Sequence, residues 1–313
     1  MAEALDAAVA RLCRYLGDGV VGALADPRTV EVYVNEDGDV RVAAEGKRWS
    51  TGEHLAPEQV RSFLRAAANW GGRHLEGAAS LDVELPPGRP FDGARLHGEM
   101  PPTVRVPVFS IRVLPRRIYR LREYVDAGAL GISGLTVLST ALTERWNVLV
   151  GGSTGSGKTT FLNAMLAELA ERCPGDRLIL LEDTFELQPA SADVVCLRPV
   201  RGGLESKVRD TLRMHPDRIV LGEVRGREAL ALLSAWETGH PGGLATIHAN
   251  DAAGALRRLD VLCQESGAPS QRERIGAAID LVVMLQRVAG GRRVSEMVRV
   301  LGSGPDGFTL RPL

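Results

Sequence analysis

Asn147-Val-Leu-Val-Gly-Gly-Ser-Thr-Gly-Ser-Gly-Lys-Thr-Thr160 is the stretch on which the fold turns. Its apolar start, Asn147 to Val150, reads as a short buried strand. Gly152 to Thr159 then matches G-x-x-x-x-G-K-[ST], and Lys158 to Glu171 reads as a helix. Each residue type has a physical reason to be there. Glycines let successive amide groups turn inward on a phosphate, and the helix start adds the positive end of its dipole. Gly152, Ser153, Thr154, Gly155, Ser156, Gly157, Lys158, Thr159 and Thr160 are therefore the candidate nucleotide-binding residues. Lys158 offers a compact charge to the β- and γ-phosphates, and Thr159 a hydroxyl to Mg²⁺.

Further apolar runs repeat on both sides of helical segments. Arg177 to Leu181 ends in Glu182-Asp183-Thr184-Phe185-Glu186, Arg218 to Leu221 in Gly222-Glu223, and Leu244 to Ile247 in His248; Leu281 to Leu285 is a fifth run. This alternation from about residue 130 is the βαβ signature of a parallel sheet. Ligands bind such sheets at the carboxyl ends of the strands. A Glu of the 182–186 segment is then placed to orient the water that attacks a γ-phosphate, Glu223 to hold Mg²⁺ directly or through water, and His248 to touch the γ-phosphate. The plainer readings are acids that cap a helix, a surface Glu after a core strand, and a packed His.

The first third has a different texture. Residues 4–25 carry helical spacing, Thr29 to Asn35 and Asp39 to Ala43 flank a turn as a hairpin, a helix is expected over 57–70, and strands near 80–85 and 103–113. Leu114 to Glu123 is dense in Arg and opens a linker. At the other end, Arg293 to Leu301 and Phe308 to Leu310 form a hairpin around residues 302–307. The 313 residues are 44% hydrophobic and 25% charged, as in soluble globular proteins. With 38 basic against 39 acidic residues the net charge is −1, which argues against a globally basic nucleic-acid binder. Just three of the basic residues are Lys, and one of them is Lys158. The four scattered Cys form neither a zinc module nor a disulfide framework and fit a reduced compartment. The acidic start is unlike a secretory signal, and the apolar-leaning stretch 129–142 is too short and too interrupted to span a membrane. A cytoplasmic protein is expected.

GGSTGSGKTT, LILLEDTFEL, LRMHPDRIVLGEVRGREA and TGHPGGLATIHAN, in that order, resemble the phosphate loop, Asp box, Walker B segment and His box of the secretion ATPases of type IV secretion and type IV pili. Among these the conjugative-transfer ATPases of the TrbB kind are most similar. VEVYVNEDGDVRV and GARLHGEMPPTVRVPVFSIR look like their N-terminal domain. The resemblance implies an α/β fold: a smaller mixed α/β N-terminal domain over 1–113, a flexible linker over 114–128, and a RecA-like P-loop NTPase domain over 129–313. It further implies a homohexameric ring with ATP and Mg²⁺ between the two domains of a subunit. Carried over by residue, Glu223 is the Walker B acid, Glu186 the water-activating base with Glu182 as second candidate, and His248 the γ-phosphate contact. Arg112, Arg213 and Arg225 are candidates for stabilising the developing charge. The implied activity is an ATP-hydrolysing motor for a type IV secretion, conjugative-transfer or related pilus machine, docked on inner-membrane subunits and peripheral to the membrane through them. No direct nucleic-acid binding is expected. A RecA-like nucleic-acid translocase is opposed by the balanced charge, and a P-loop small-molecule kinase by the lack of an Arg-rich lid after the Walker B segment. The missing four-Cys module and Val224-Arg225-Gly226 favour the conjugation branch over the pilus branch.

Overall fold

The structure, a computed structural model, describes residues 2–44, 47–73, 75, 79–199, 203–288, 291–305 and 307–313. The chain divides into two units, Met1–Arg116 and Arg117–Leu313. The first comprises α1 (Ala2–Ala25), β1 (Thr29–Val34), β2 (Asp39–Ala44), β3 (Lys47–His54), α2 (Pro57–Trp70), β4 (Ser80–Glu84), β5 (Arg95–Glu99) and β6 (Val108–Arg112). Its antiparallel sheet runs β3-β2-β1-β6-β5-β4. The two-residue period of the strands puts Val32, Val34, Val40 and Val42 on one face. There they bury against Leu12, Leu16 and Leu24 of α1 and Phe63 and Leu64 of α2. Two strands in this unit, β3 and β5, have no clear sequence signature. β3 is a mostly exposed edge without apolar alternation, and β5 carries Gly98 where Leu64 presses on the strand: a Cβ there would lie 2.3 Å from Leu64 Cδ2. The strand expected over 103–113 is confined to Val108–Arg112, because turns occupy residues 101–106.

The second unit comprises α3 (Leu121–Asp126), α4 (Ile132–Thr143), β7 (Val148–Gly152), α5 (Lys158–Arg172), β8 (Leu178–Leu181), β9 (Val194–Leu197), α6 (Gly203–Thr211), β10 (Arg218–Val224), α7 (Glu228–Glu237), β11 (Leu244–His248), α8 (Ala252–Gln264), α9 (Arg272–Ala278), β12 (Leu281–Val288), β13 (Gly291–Gly304) and β14 (Gly307–Pro312). Its sheet runs β14-β13-β12-β7-β11-β10-β8-β9, parallel from β12 to β9 with β13 and β14 antiparallel at one edge. Helices cover both faces, so the central strands are apolar at successive positions rather than alternate ones. Val148, Val150, Leu178 and Val220 pack with α4 and α5, while Leu149, Leu181, Ile219 and Ile247 pack with α7 and α8. The link from β7 through α5 to β8 passes over β11 and β10, so the carboxyl ends of β8, β10 and β11 open on the same edge as the loop after β7. The five parallel strands read from the sequence are β7, β8, β10, β11 and β12. Of the linker expected over 114–128, the residues from Arg117 onward belong to this unit, and Leu121 of α3 is fully buried in its core. The expected C-terminal hairpin is β13–β14; its turn residue Asp306 lies outside the described residues. No described helix is long and apolar enough to cross a membrane.

Candidate active site

The cradle follows from β7. Val148, Leu149 and Val150 have no exposure, and the strand ends at Gly152 between β11 and β12. In the loop that follows, Gly155 (φ 73°) and Gly157 (φ 93°) take left-handed conformations that side chains resist. A Cβ on Gly152 would lie 2.4 Å from Ser156 Oγ and 2.6 Å from the Leu285 carbonyl; one on Gly157 would lie 2.6 Å from Arg292 Cδ. Ser156 Oγ is buried without a hydrogen-bond partner among the described residues. A turn with no room for a Cβ at Gly152 or Gly157, an orphaned hydroxyl and the start of α5 together fit a polyphosphate. Thr159 and Thr160, both half-buried, lie in the first turn of α5. Lys158 is 8% exposed, and its Nζ donates to the carbonyls of Gly152 (3.1 Å) and Ser153 (3.2 Å) and to His248 Nδ1 (3.1 Å).

His248 reaches that point because β11 pairs it with Gly152 in register. An ammonium has donors only, so Nδ1 accepts and the imidazole proton sits on Nε2, 2.7 Å from Glu223 Oε1. The approach is close but poorly aligned: buried Glu223 Oε1 has no hydrogen-bond partner among the described residues. Its other oxygen, Oε2, accepts from Arg225 Nε and pairs with Arg225 Nη2. Arg225 Nη1 lies 3.6 Å from Asp183 Oδ2. Buried Glu228 fixes the backbone here, its Oε1 accepting from the amides of Arg225 (2.6 Å) and Gly226 (2.8 Å). A polar chain thus runs Lys158, His248, Glu223, Arg225, Asp183 across the ends of four strands. Among the described residues no cluster of three His, Cys, Asp or Glu side chains would hold a metal unaided. Glu223 Oε1, which accepts no hydrogen bond among the described residues, and the Thr159 hydroxyl are the hard oxygen donors that suit Mg²⁺ arriving with phosphates.

The two Glu candidates of the 182–186 segment are in different situations. Glu182 is 5% exposed, and its Oε1 accepts from the amides of Glu186 (3.1 Å) and Leu187 (3.0 Å). Asn163 of α5 closes the same segment from the other side, donating to the Glu186 carbonyl (3.1 Å) and accepting from the Gln188 amide (2.7 Å). Glu182 therefore shapes the segment that carries Glu186, which is half-buried with its backbone held at both ends. Burial pushes the Glu182 carboxyl up to about 7, outweighing the two amides that favour its ionised form. The neutral acid is thus the stabilising form: its contribution is full below the ordinary value of 4.5 and is lost as pH rises through about 7, at a cost of about 3 kcal/mol. Glu182→Gln, which cannot ionise, is expected to flatten the fall in melting temperature between about pH 5 and pH 8. Parallel melting profiles for the two proteins would refute that.

The arginines are scattered. Arg225 is in the site. Arg213 is not: it lies in the turn before β10, beside Arg177 at the starts of the strands, whereas Glu223 lies toward the carboxyl end of β10. Arg112 belongs to the first unit, exposed at the end of β6 and opposite Glu31 and Arg95 in register. One arginine that sequence reasoning passes over, Arg292 of β13, donates from Nε to the Gly155 carbonyl (3.2 Å) and occupies the space a Cβ on Gly157 would need. No local pattern marks it, because the return of β13 along β12 is what carries it to the loop.

A family model described as "Type II/IV secretion system protein" matches residues 84–296. The chain is 37% identical over 296 residues to a conjugal transfer protein TrbB of Rhizobium radiobacter, covering 94% of this chain and 90% of the relative. It is 38% identical over 296 residues to a probable conjugal transfer protein TrbB of Sinorhizobium fredii, covering 93% and 89%. The fold is similar to that of the ATPase DotB of Legionella pneumophila (TM-score 0.63, 21% identity, 86% of this chain and 76% of that one). It is likewise similar to the pilus retraction motor PilT with bound ADP (TM-score 0.66, 20% identity, 94% and 80%).

Proposed function

The chain belongs to the type II/IV secretion system protein family, and on that premise we propose that it is an ATP-hydrolysing motor for a type IV secretion or conjugative-transfer machine. The observation that carries this reading is the polar chain from Lys158 through His248 to Glu223, set beside a phosphate-shaped loop. Lys158 and the loop amides bind the phosphates, and Thr159 and Glu223 hold Mg²⁺, which neutralises charge on the transferred group. Glu186, carried on the segment that Glu182 and Asn163 pin, accepts the proton of the attacking water. With the γ-phosphate bound, Lys158 turns from its own loop carbonyls to the phosphate oxygens. His248 loses that donor, so phosphate occupancy is reported to Glu223 through one imidazole. Most of the acceleration comes from position and charge. The motor works as a homohexamer and sits in the cytoplasm against inner-membrane subunits.

Glu186→Gln is the test. It is expected to bind ATP and to keep the mass of a six-subunit ring with an ATP analogue, while phosphate release without any acceptor drops about 10²-fold. Unchanged release would remove Glu186 from the role of base, and a monomer under all conditions would remove the ring.

A further inference from the structure

We infer that Arg225 is a built-in cation that occupies the Walker B carboxylate and competes with the divalent metal for it; this rests on the reading of Glu223 as the Mg²⁺ carboxylate. Three observations meet at this residue. First, the guanidinium commits two of its nitrogens, Nε and Nη2, to one oxygen, Glu223 Oε2, and extends Nη1 to Asp183 Oδ2 at 3.6 Å. A positive charge held between two carboxylates is the arrangement a bound divalent ion would otherwise create. Second, the opposite oxygen, Glu223 Oε1, is buried and without a hydrogen bond, although its side chain is only 16% exposed. Arg225 therefore neutralises one oxygen, while the other, with His248 Nε2 2.7 Å away, accepts no hydrogen bond among the described residues. Third, the backbone of Arg225 is not free to wander: Glu228, 7% exposed, takes the amides of Arg225 and Gly226 and sets the direction in which the side chain leaves β10. The side chain itself is 56% exposed, so it has room to swing away once a stronger cation arrives.

The electrostatic consequence has a definite sign. A unit positive charge touching Oε2 repels an ion approaching Oε1, and because the Arg225 side chain is 56% exposed that repulsion is strongest at low ionic strength. Arg225 thus keeps the site from retaining a bare metal ion and makes metal binding depend on the phosphates that come with it. Lys158 and His248 supply further positive or donor character on the same side, and Asp183 and Glu223 are the acids that face Arg225. Arg225 is a positioning residue in this scheme, acting through Glu223.

The test reads metal binding rather than turnover. Free Mn²⁺, as a stand-in for Mg²⁺, is titrated into the full chain without nucleotide and followed by electron paramagnetic resonance. Arg225→Gln is expected to bind Mn²⁺ about tenfold more tightly than the wild type, since the competing charge is gone. Arg225→Lys, which keeps a charge, is expected to bind no more tightly than the wild type. Adding Glu223→Gln to Arg225→Gln is expected to remove the gain. Equal affinities in the wild type and Arg225→Gln overturn the inference, as does a gain that survives Glu223→Gln. Failure of the ATPase reading would show separately, as absent phosphate release from the wild type.

Discussion

Lys158→Ala is expected to lower Mg²⁺-dependent ATP turnover by about 10²–10³-fold, measured as phosphate release. Charge and reach both contribute to the loss. The ammonium is nearly enclosed, with three acceptors, Gly152 O, Ser153 O and His248 Nδ1, all within 3.2 Å. A phosphate entering the cradle brings oxygens that compete for the same three donors, and transition-state charge on the γ-phosphoryl group makes them better acceptors still. Ala removes both the charge and the link to His248. Lys158→Arg is expected to fail as well, because a planar fork cannot serve carbonyls and a phosphate from a pocket shaped around a compact ammonium. The fold is expected to survive, since Ser153 is exposed and the loop carbonyls can turn to water. Turnover that persists in Lys158→Ala would mean that the loop does not carry the chemistry.

Arg218→Met is expected to be the most damaging change outside the site, with a loss of about 3–5 kcal/mol in stability. Arg218 opens β10 with no exposure. Its guanidinium pairs with Asp176 Oδ2 (2.5 Å) and donates to the carbonyls of Leu142 (2.8 Å) and Gly242 (3.3 Å). Gly242 is required beside it, because a Cβ there would lie 2.5 Å from Nη1. Met keeps the volume and removes every donor, so Asp176 and two carbonyls remain with their desolvation and less to offset it. Arg145 still holds Asp176 Oδ1, at 2.6 Å, which limits the damage. Denaturant titration should show a lower midpoint at an unchanged slope, and Asp176→Asn on the same background should recover part of the loss. A change within about 1 kcal/mol would show that this buried ion contributes little.

The parts of the site differed in how readable they were before folding. The β7–loop–α5 unit was legible in full, because glycine conformation, strand burial and helix start are all dictated within a dozen residues. The same holds for the acids and the His at the ends of β8, β10 and β11, since apolar runs of strand length place the next residue at the strand end. Which acid does what was not legible. Glu182 and Glu186 are four residues apart and chemically alike, and they separate only because the chain folds back so that one carboxylate caps the amides of the other's segment.

Arg-rich composition made the arginines the hardest to sort. Arg213, Arg218 and Arg225 stand within thirteen residues of one another, yet they fall at a turn beside the strand starts, inside the protein, and on the Walker B carboxylate. Arg292 comes to the phosphate loop from 137 residues away in sequence. By itself the sequence determined the local backbone: a parallel α/β unit, a phosphate-binding turn, and the strand ends that carry acids and His248, since each depends on periodicity and conformational preference over a few residues. Strand order and register decided the rest. They bring distant segments within hydrogen-bond reach, and they alone joined Lys158 to His248 and His248 to Glu223 in one chain of contacts.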